Sequence, residues 1–449
     1  MDLVDAIENE DENPIDTYRR AHHITRSLGN KVALDNDIFQ ELLPEILTSD
    51  NNRLFNFGQG LAYGSANPQQ TWCKFCEQLS TLEDSKRKYG VIGGFLNALS
   101  ELNADLSDIL LYEAVKDNTL AAIYPWLQTQ VEIGIQDVER LKKSLELGKA
   151  PILQYVHLAY GRVHESIGDR ELCELLKLIS SKEGGFPVSI EILLMRLHGH
   201  SDLNKLSDTI ISYGQELVVD YQFSREDRKA ASIDYKLATI IKSCFAGKSA
   251  QEKAKVLCNN IFHSFTSNHI FWMDYDHVLD SLSTQQPEVF LDIFLGKSIN
   301  SELDYRIRET LLEQSILSRI DEKIIINWCE ESKEIRYPII SSALVPFHKK
   351  EDSNSPQWTP LALKIINNSP DPMRVLDNFK LTLRPRRWSG SRAAIMQNNL
   401  SLILDLKKHY NPLIAKWAGK EEILFEAEIR SDRESELERE RKLNERFEW

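Results

Sequence analysis

Glycine and proline are scarce in this chain, at 19 and 15 residues among 449. Sheet-rich folds need many tight turns, and such turns draw on glycine and proline, so this scarcity favours helices. Long hydrophobic runs are missing too, because no apolar stretch approaches the roughly 18 residues that span a membrane. Residues 1–16 carry seven acids and no base, which argues against a secretory signal peptide. The sequence therefore predicts a helical, cytoplasmic protein without a membrane partner.

Basic residues are also in short supply. Lysine and arginine number 54 against 68 aspartates and glutamates, which gives a net charge of −14. A broad nucleic-acid surface requires a basic stripe, so nucleic acid is a disfavoured partner, although a local basic patch remains compatible with the composition. Of the six cysteines, four lie alone in helical patterns, where a reduced thiol packs as a small apolar residue: Cys173, Cys244, Cys258 and Cys329.

No complete catalytic motif is present. Gly247–Ser249 and Gly296–Ser298 resemble the end of a phosphate loop, but Lys242 and Leu291 stand where that motif needs its first glycine. The chain has no Gly-x-Ser-x-Gly elbow and no cysteine in a protease context. We therefore expect a non-enzymatic protein with no catalytic residues.

Three segments contain metal-ligand residue types without a complete ligand set. Cys73–Cys76 lacks the second cysteine pair of a structural zinc site, so core packing is the preferred interpretation. His198–Asp202 offers two imidazoles and a carboxylate but lies where a helix should end. In Met273–His277 the aspartates are typical of a helix N-cap. The sequence therefore predicts no metal and no cofactor.

Helical units of similar length repeat between residues 138 and 197. Pro151 and Pro187, 36 residues apart, each open an apolar pattern of helical spacing, and Val138 and Leu172 begin equivalent faces 34 residues apart. The pattern from 152 to 163 predicts an α-helix. A repeat of this length is typical of α-solenoids built from stacked helical pairs. We predict an all-α, HEAT-like α-solenoid that ends in a charged C-terminal helix.

The predicted organisation has four segments. They are an acidic N-terminal tail or linker at 1–30, the solenoid at 31–348, a loop-rich segment with short helices and a basic patch at 349–392, and C-terminal helices with a Glu/Arg-rich tail at 393–449. Within the third segment, residues 349–360 are polar with two prolines and are predicted as a loop. The tail has acid-first (i, i+4) pairs but no sustained heptads, which indicates a solvated helix.

The basic patch is the most unusual polar segment. Four arginines and a tryptophan lie just before a predicted helix N-terminus, where guanidinium groups and free helix amides together can hold a phosphate or a carboxylate. The alternative is that these arginines pair with the acids of the chain itself. The candidate residues for binding a partner or a phosphate are Arg384, Arg386, Arg387, Trp388 and Arg392. We expect charge reversal of the arginines to weaken partner binding without unfolding the chain.

Several short segments carry a resemblance to a known group of proteins: Phe57–Leu61, Gly93–Leu96, Tyr160–Arg162, Met195–Leu197, Trp388–Arg392 and Arg446–Glu448. They resemble the HEAT-like helical region of large bacterial proteins, which include antiphage defence NTPases. The resemblance spans roughly residues 52–449, and this chain departs from those proteins in lacking a phosphate loop and an effector domain. It implies a recognition scaffold in bacterial antiviral defence, which binds a defence effector or a phage component. A nucleic-acid sensor and an unrecognised enzyme are the alternatives.

Overall fold

The computed structural model describes residues 14–198, 206–224, 233–267, 270–271, 274–296, 302–313, 315–350 and 353–447. Helix makes up 76% of the structure, and the only strands in the described ranges form one two-stranded hairpin. The predicted all-α class is therefore confirmed. The contacts divide the chain into unit 1 (Met1–Tyr213) and unit 2 (Gly214–Trp449). No helix among these ranges is both long and apolar enough to cross a membrane.

In the first six helices of unit 1, each helix packs against the helix two places along the chain, whereas from α6 to α10 consecutive helices pack on one another. Thus α1 packs on α3 and α3 on α5, while α2 packs on α4 and α4 on α6. This is the nearest-neighbour order of a helical repeat. The helices are α1 (Pro14–Ala33), α2 (Asn36–Ile46), α3 (Leu54–Gly64), α4 (Pro68–Thr81), α5 (Gly90–Leu102), α6 (Ala104–Ala114), α7 (Tyr124–Gln128), α8 (Ile135–Leu147), α9 (Asp169–Ser180), α10 (Gly185–His198) and α11 (Asp208–Val219), in which the division falls; 3₁₀ helices cover Asp84–Lys86, Ala121–Ile123, Ile152–Ala159 and Val163–Glu165.

Side-chain hydrogen bonds join neighbouring helices across more than thirty residues. Lys88 binds Asp50 across 38 residues at 3.0 Å. Further along, Lys142 binds Glu174 across 32 residues at 2.8 Å. The predicted repeat of 34 to 36 residues stays a prediction.

Helices α1, α3 and α5 touch through their backbones at glycine. A Cβ on Gly58 would lie 1.9 Å from the carbonyl oxygen of Val91, and one on Gly94 would lie 1.8 Å from that of Phe55. Real Cβ atoms do not approach so closely, so only glycine permits this packing. Two segments that carry the family resemblance, Phe57–Leu61 and Gly93–Leu96, therefore have a packing role here.

Residues 14–30 correct the predicted acidic tail, because they belong to α1. The acids behind that prediction end at Asp16. Helix α1 buries few apolar side chains, among them Ala21 and Val32, and contacts α3 through Gly29, whose Cβ would lie 2.1 Å from the Phe57 carbonyl oxygen. A helix that docks through glycine has no wide apolar stripe, so its hydrophobic periodicity gave no signal.

The α-helix predicted from 152 to 163 is instead a 3₁₀ helix over Ile152–Ala159. Its buried side chains include Tyr155 and Leu158, three residues apart, which suits three residues per turn. Gly161 and Arg162 then adopt left-handed conformations, with φ of 63° and 62°. The prediction was wrong because these two left-handed residues lie inside the apolar pattern, and a continuous α-helix does not accommodate them.

His164 follows this turn and is 1% exposed. Burial, and then the nearby cation of Arg196, lower the pKa of the imidazole, while Glu165 opposes this change. Arg196 is held in place by the His164 carbonyl oxygen at 3.0 Å and by Asp169 at 2.6 Å. The folded chain therefore resists protonation of this histidine.

We expect unit 1 to lose stability as pH falls below the ordinary histidine pKa of about 6.5. The unfolded chain then binds the proton more readily than the folded one, so the free energy of unfolding falls with pH, by at most about 1.4 kcal/mol per pH unit for one proton. Urea unfolding between pH 5 and pH 8 measures this slope. His164→Gln should flatten it, and equal slopes for both proteins would contradict the assignment to His164.

Unit 2 has the same order of packing. Helix α12 packs on α14, α13 on α15, α15 on α17, and α20 on α22. Its helices are α12 (Ile233–Cys244), α13 (Gln251–Thr266), α14 (Asp276–Gln285), α15 (Pro287–Phe294), α16 (Glu302–Glu313), α17 (Glu322–Glu330), α18 (Lys333–Ser341), α19 (Pro360–Asn368), α20 (Pro372–Thr382), α21 (Arg392–Leu406) and α22 (Pro412–Phe447); 3₁₀ helices cover Lys248–Ala250 and Ile316–Arg319, and the strands are β1 (Phe347–Lys350) and β2 (Ser353–Trp358).

The hairpin corrects the loop predicted at 349–360. Strands β1 and β2 are antiparallel, with Phe347 opposite Trp358. The Trp358 side chain is 8% exposed and its indole N–H donates to the Leu402 carbonyl oxygen at 2.9 Å. Strand β2 reads Ser-Asn-Ser-Pro-Gln-Trp, which has no alternating apolar pattern, and its buried tryptophan is a tertiary anchor that no local rule detects.

Helix α22 has 36 residues and agrees with the predicted charged C-terminal helix. The acid-first pairs are formed, with Glu438 at 2.6 Å from Lys442 and Glu426 at 3.9 Å from Arg430. Its first half also buries side chains such as Phe425. The helix is therefore solvated only in part.

Candidate functional site

The predicted basic patch lies in the connection between α20 and α21. Gly390 has a φ of +78°, a conformation that glycine adopts without strain. Ser391 then begins α21, and its hydroxyl accepts a hydrogen bond from the Ala394 amide at 3.0 Å. The patch is thus held at a helix N-terminus, as the sequence predicts.

Two of the five candidate residues face the protein and not solvent. The Arg384 guanidinium binds Glu421 and Glu428, each at 2.7 Å, and lies over the Phe425 ring. Arg392 binds Glu428 at 2.9 Å and also Asp432. Although burial opposes ionisation, hydrogen bonds from Arg392 and Arg384 keep the pKa of Glu428 below its ordinary value. This corrects the prediction that Arg384 and Arg392 await a partner.

A carboxylate of α22 also binds at the start of α21, where backbone amides have no partner within the helix. The Glu436 carboxylate accepts from the Ser391 hydroxyl at 2.6 Å and from the Ala393 amide at 3.1 Å. These hydrogen bonds lower the pKa of Glu436. At Arg384, Arg392 and the start of α21 the structure therefore shows the alternative interpretation, in which the patch pairs with acids of the chain itself. These acids form the acidic row of α22, defined here as Glu421, Glu428, Asp432 and Glu436.

The remaining three candidates point towards solvent. The Arg386 side chain is 54% exposed and forms an ion pair with Glu309. Arg387 is 89% exposed and lies 4.0 Å from Glu313. Trp388 is 45% exposed, with the Arg392 guanidinium 5.6 Å from its ring centre.

Arg386 and Arg387 border a cleft of about 500 Å³, which we call the arginine cleft. Its walls combine apolar and polar side chains. The polar side chains are four arginines, two glutamates, one asparagine, one serine and one threonine, and among the arginines Arg384 is paired with α22. The apolar lining is formed by Leu312, Val345, Phe347, Leu381 and Pro385, and the polar lining further includes Arg308, Glu309, Glu313, Ser342, Asn378 and Thr382. An apolar pocket with a few convergent polar groups is the usual form of a binding site.

Most residues of this lining carry no signal in the sequence that would assign them to a cleft. Arg308 lies on α16, Phe347 on β1 and Leu381 on α20. The Arg308 guanidinium is 3.3 Å from the Ser342 hydroxyl across 34 residues. Because the cleft is assembled from successive repeats, the only sequence signal for it is the arginine run itself.

The other predicted nucleotide and metal segments give mixed outcomes. Gly247 follows helix α12 rather than the strand that a phosphate loop needs, and its φ of +78° places it in a turn. Residues 297–298 and 199–202 lie outside the described ranges. Cys73 is exposed, which corrects its predicted core packing, and burial raises the pKa of the Cys76 thiol to about 12.

A second cluster of side chains lies at the start of α14, and we call it the Asp/His cluster. It consists of Asp234 on α12 with Asp276 and His277 on α14, whose donor atoms lie within 4.8 Å of one another. His277 Nδ1 is 2.8 Å from Asp234 Oδ2 and 2.8 Å from Asp276 Oδ1. Burial raises the pKa of Asp234, although its hydrogen bonds from the α14 amides oppose this effect.

The predicted N-cap at this position belongs to a different residue. Asp234, from 43 residues earlier, accepts from the His277 amide at 3.1 Å and from the Val278 amide at 2.9 Å. Asp274 instead accepts from the Phe271 amide at 2.9 Å. Among the described residues, Asp234, Asp276 and His277 are the group with the donor set for a metal ion.

Together these features define an all-α chain with repeat-like packing and an arginine-bordered cleft. No protein family, no curated protein sequence and no solved structure matches it at a significant level.

Proposed function

We propose that this chain is a non-enzymatic recognition module that binds an acidic segment of a protein partner in the arginine cleft. The observation that carries the proposal is the pair Arg386 and Arg387, which remain largely exposed at the border of an apolar cleft. The other two arginines of the patch are already neutralised by α22. An acidic chain that keeps two exposed cations beside apolar walls has the features of a site for an anionic ligand.

The chemistry of the cleft specifies the ligand further. A carboxylate of the partner would share Arg386 with Glu309 and Arg387 with Glu313, at positions that solvent reaches. An adjacent apolar side chain would cover Leu312, Val345 and Leu381. Asn378 donates to the Pro338 carbonyl oxygen at 2.8 Å, and its remaining acceptor is suited to a backbone amide. A peptide with an acidic residue next to a large apolar one meets these requirements.

We propose further that this binding serves bacterial antiviral defence, with a defence effector or a phage component as the partner. The support is the resemblance of the segments given above to HEAT-like regions of bacterial defence proteins. Helical repeats are commonly recognition surfaces. A host that carries an inactivated gene for this chain should then lose protection in plaque assays.

Reversing the charge of Arg386 and Arg387 together should weaken ligand binding by at least about tenfold, because a hydrogen bond to a charged group contributes roughly 1.5–3 kcal/mol. The measurement is fluorescence anisotropy with a panel of peptides that pair glutamate with leucine or phenylalanine. Arg386→Glu/Arg387→Glu is compared with Arg430→Glu/Lys442→Glu, which makes the same charge change on exposed positions of α22.

Peptides in which glutamine replaces glutamate should bind poorly to the unaltered chain. Equal binding by both double variants would remove the arginine cleft from consideration. Binding of single-stranded or duplex nucleic acid that weakens steeply with salt would instead favour the nucleic-acid alternative.

A further inference from the structure

We propose that the Asp/His cluster binds a divalent cation of the first transition-metal row, for which Zn²⁺ is the best-fitting probe. The site is separate from the arginine cleft, and the proposal does not depend on the function assigned above. It adds a metal to a chain whose local sequence predicted none. The reason is that Asp234 supplies a third ligand that is 42 residues distant from Asp276 in the sequence.

The three donors form one face of a coordination shell. Asp234 is 13% exposed, whereas the Asp276 and His277 side chains are 46% and 55% exposed. The cluster therefore has a partly buried carboxylate at its base and an opening to solvent. Three protein ligands with an open position form the usual arrangement of an accessible zinc site.

Helix capping explains the position of Asp234 but not the convergence of all three side chains. The cap needs only the Asp234 oxygens and the amides of His277 and Val278. Those amide bonds orient the carboxylate, as outer hydrogen bonds orient metal ligands. His277 Nδ1 has at most one proton to share between two carboxylate oxygens, each 2.8 Å away. A divalent cation satisfies both carboxylates and the imidazole at once.

The dimensions require a small adjustment. With bonds of about 2.1 Å, ligand atoms of a tetrahedral zinc site are roughly 3.4 Å apart. Opening the observed 2.8 Å separations by about half an ångström needs only rotation of the exposed His277 and Asp276 side chains. An imidazole ligand favours Zn²⁺ and its neighbours over Mg²⁺ and Ca²⁺, which prefer oxygen ligands.

Space next to the cluster leaves room for water on the metal. Asp276 and His277 border a cleft of about 270 Å³ that is also lined by Asp280, Ile316 and Arg319. Asp280 forms an ion pair with Arg319 and is not one of the three donors. The open coordination positions would therefore be taken by solvent.

The test is titration of the full chain, free of any histidine tag and treated with a chelator, with ZnCl₂ in a calorimeter. We expect one site in the micromolar range or tighter, weakened at least tenfold by His277→Ala and by Asp276→Asn. Both residues are half-exposed, so these variants should remain folded, which circular dichroism checks. His263→Ala, at an exposed position of α13, is the control and should bind Zn²⁺ as the unaltered chain does.

Cobalt provides an independent readout, because Co²⁺ in a site with nitrogen and oxygen donors gives visible absorption bands that the two variants should lose. Absence of Zn²⁺ binding, or Zn²⁺ binding by both variants as tight as that of the unaltered chain, would overturn the proposal. Binding of Mg²⁺ as tight as that of Zn²⁺ would overturn the assignment to a first-row ion.

Discussion

Gly94→Ala should lower the free energy of unfolding of unit 1 by about 2 kcal/mol. The new Cβ would lie 1.8 Å from the carbonyl oxygen, 2.6 Å from the carbonyl carbon and 3.0 Å from the Cα of Phe55. All three are backbone atoms of α3, so no side-chain rotation relieves the overlap and the helices must separate. Overpacking of this kind costs about 1–3 kcal/mol or more, which exceeds the gain of about 1 kcal/mol from replacing a helical glycine.

Separation of α3 from α5 has consequences beyond one contact. Gly58 on α3 touches the Val91 carbonyl oxygen on α5, and Gly60 on α3 touches the Arg26 carbonyl oxygen on α1. A shift of α3 that relieves one overlap therefore disturbs the glycine contacts with both neighbours. Amide hydrogen exchange should accordingly increase in α1, α3 and α5 together.

Gly90→Ala is the matched control, since Gly90 lies on the same helix. Its Cβ would meet only the Leu54 Cβ, at 4.0 Å, so its effect should be small or slightly stabilising. Urea unfolding followed by circular dichroism compares the two variants. Equal stabilities of Gly94→Ala and Gly90→Ala would show that the close approach of α3 and α5 is absent in solution.

Arg384→Ala should destabilise unit 2 by about 3–5 kcal/mol, the range for removing one partner of a buried ion pair. Glu421 is 4% exposed. Among the described residues, the only other side chain that forms an ion pair with Glu421 is Lys380, at 4.0 Å. Without Arg384 this carboxylate is left buried and poorly compensated. We therefore expect charge reversal at Arg384 to destabilise unit 2, whereas the sequence alone led us to expect that the chain stays folded.

A double variant separates the ion pair from general damage to the loop. In Arg384→Met/Glu421→Leu both charges are removed and apolar groups fill the space beside Phe425, so most of the lost stability should return. Arg387→Ala, at an 89% exposed position, should change stability by less than about 0.5 kcal/mol. Thermal unfolding of the three proteins tests this order, and a neutral Arg384→Ala would contradict the structural role of the ion pair.

The local sequence predicted much of the helical framework. Pro68 lies in the first turn of α4, and Gly148 ends α8 in a left-handed conformation with a φ of 64°. Pro125 lies in the first turn of α7, directly after a 3₁₀ turn and within a single apolar pattern. Local sequence carries such signals because caps and turns depend on residues within a few positions of one another.

The basic patch was located from the sequence, but its binding partners were not. Its composition predicted that anions gather before a helix N-terminus, and the structure places carboxylates of the same chain at the start of α21. Which anion occupies it depends on the register of α22, which places Glu421 beside Arg384 across 37 residues and Asp432 beside Arg392 across 40 residues. With 68 acids available, no local rule selects these partners.

The sequence by itself thus determined the helical class, many of the helix ends and the location of the basic patch. Only the tertiary structure decided which arginines remain exposed, which residues line the arginine cleft, and that Asp234 joins Asp276 and His277. The physical reason is the repeat itself. Periodicity records which face of a helix is buried, whereas sites form between neighbouring repeats, from residues more than thirty positions apart that single-sequence patterns do not connect.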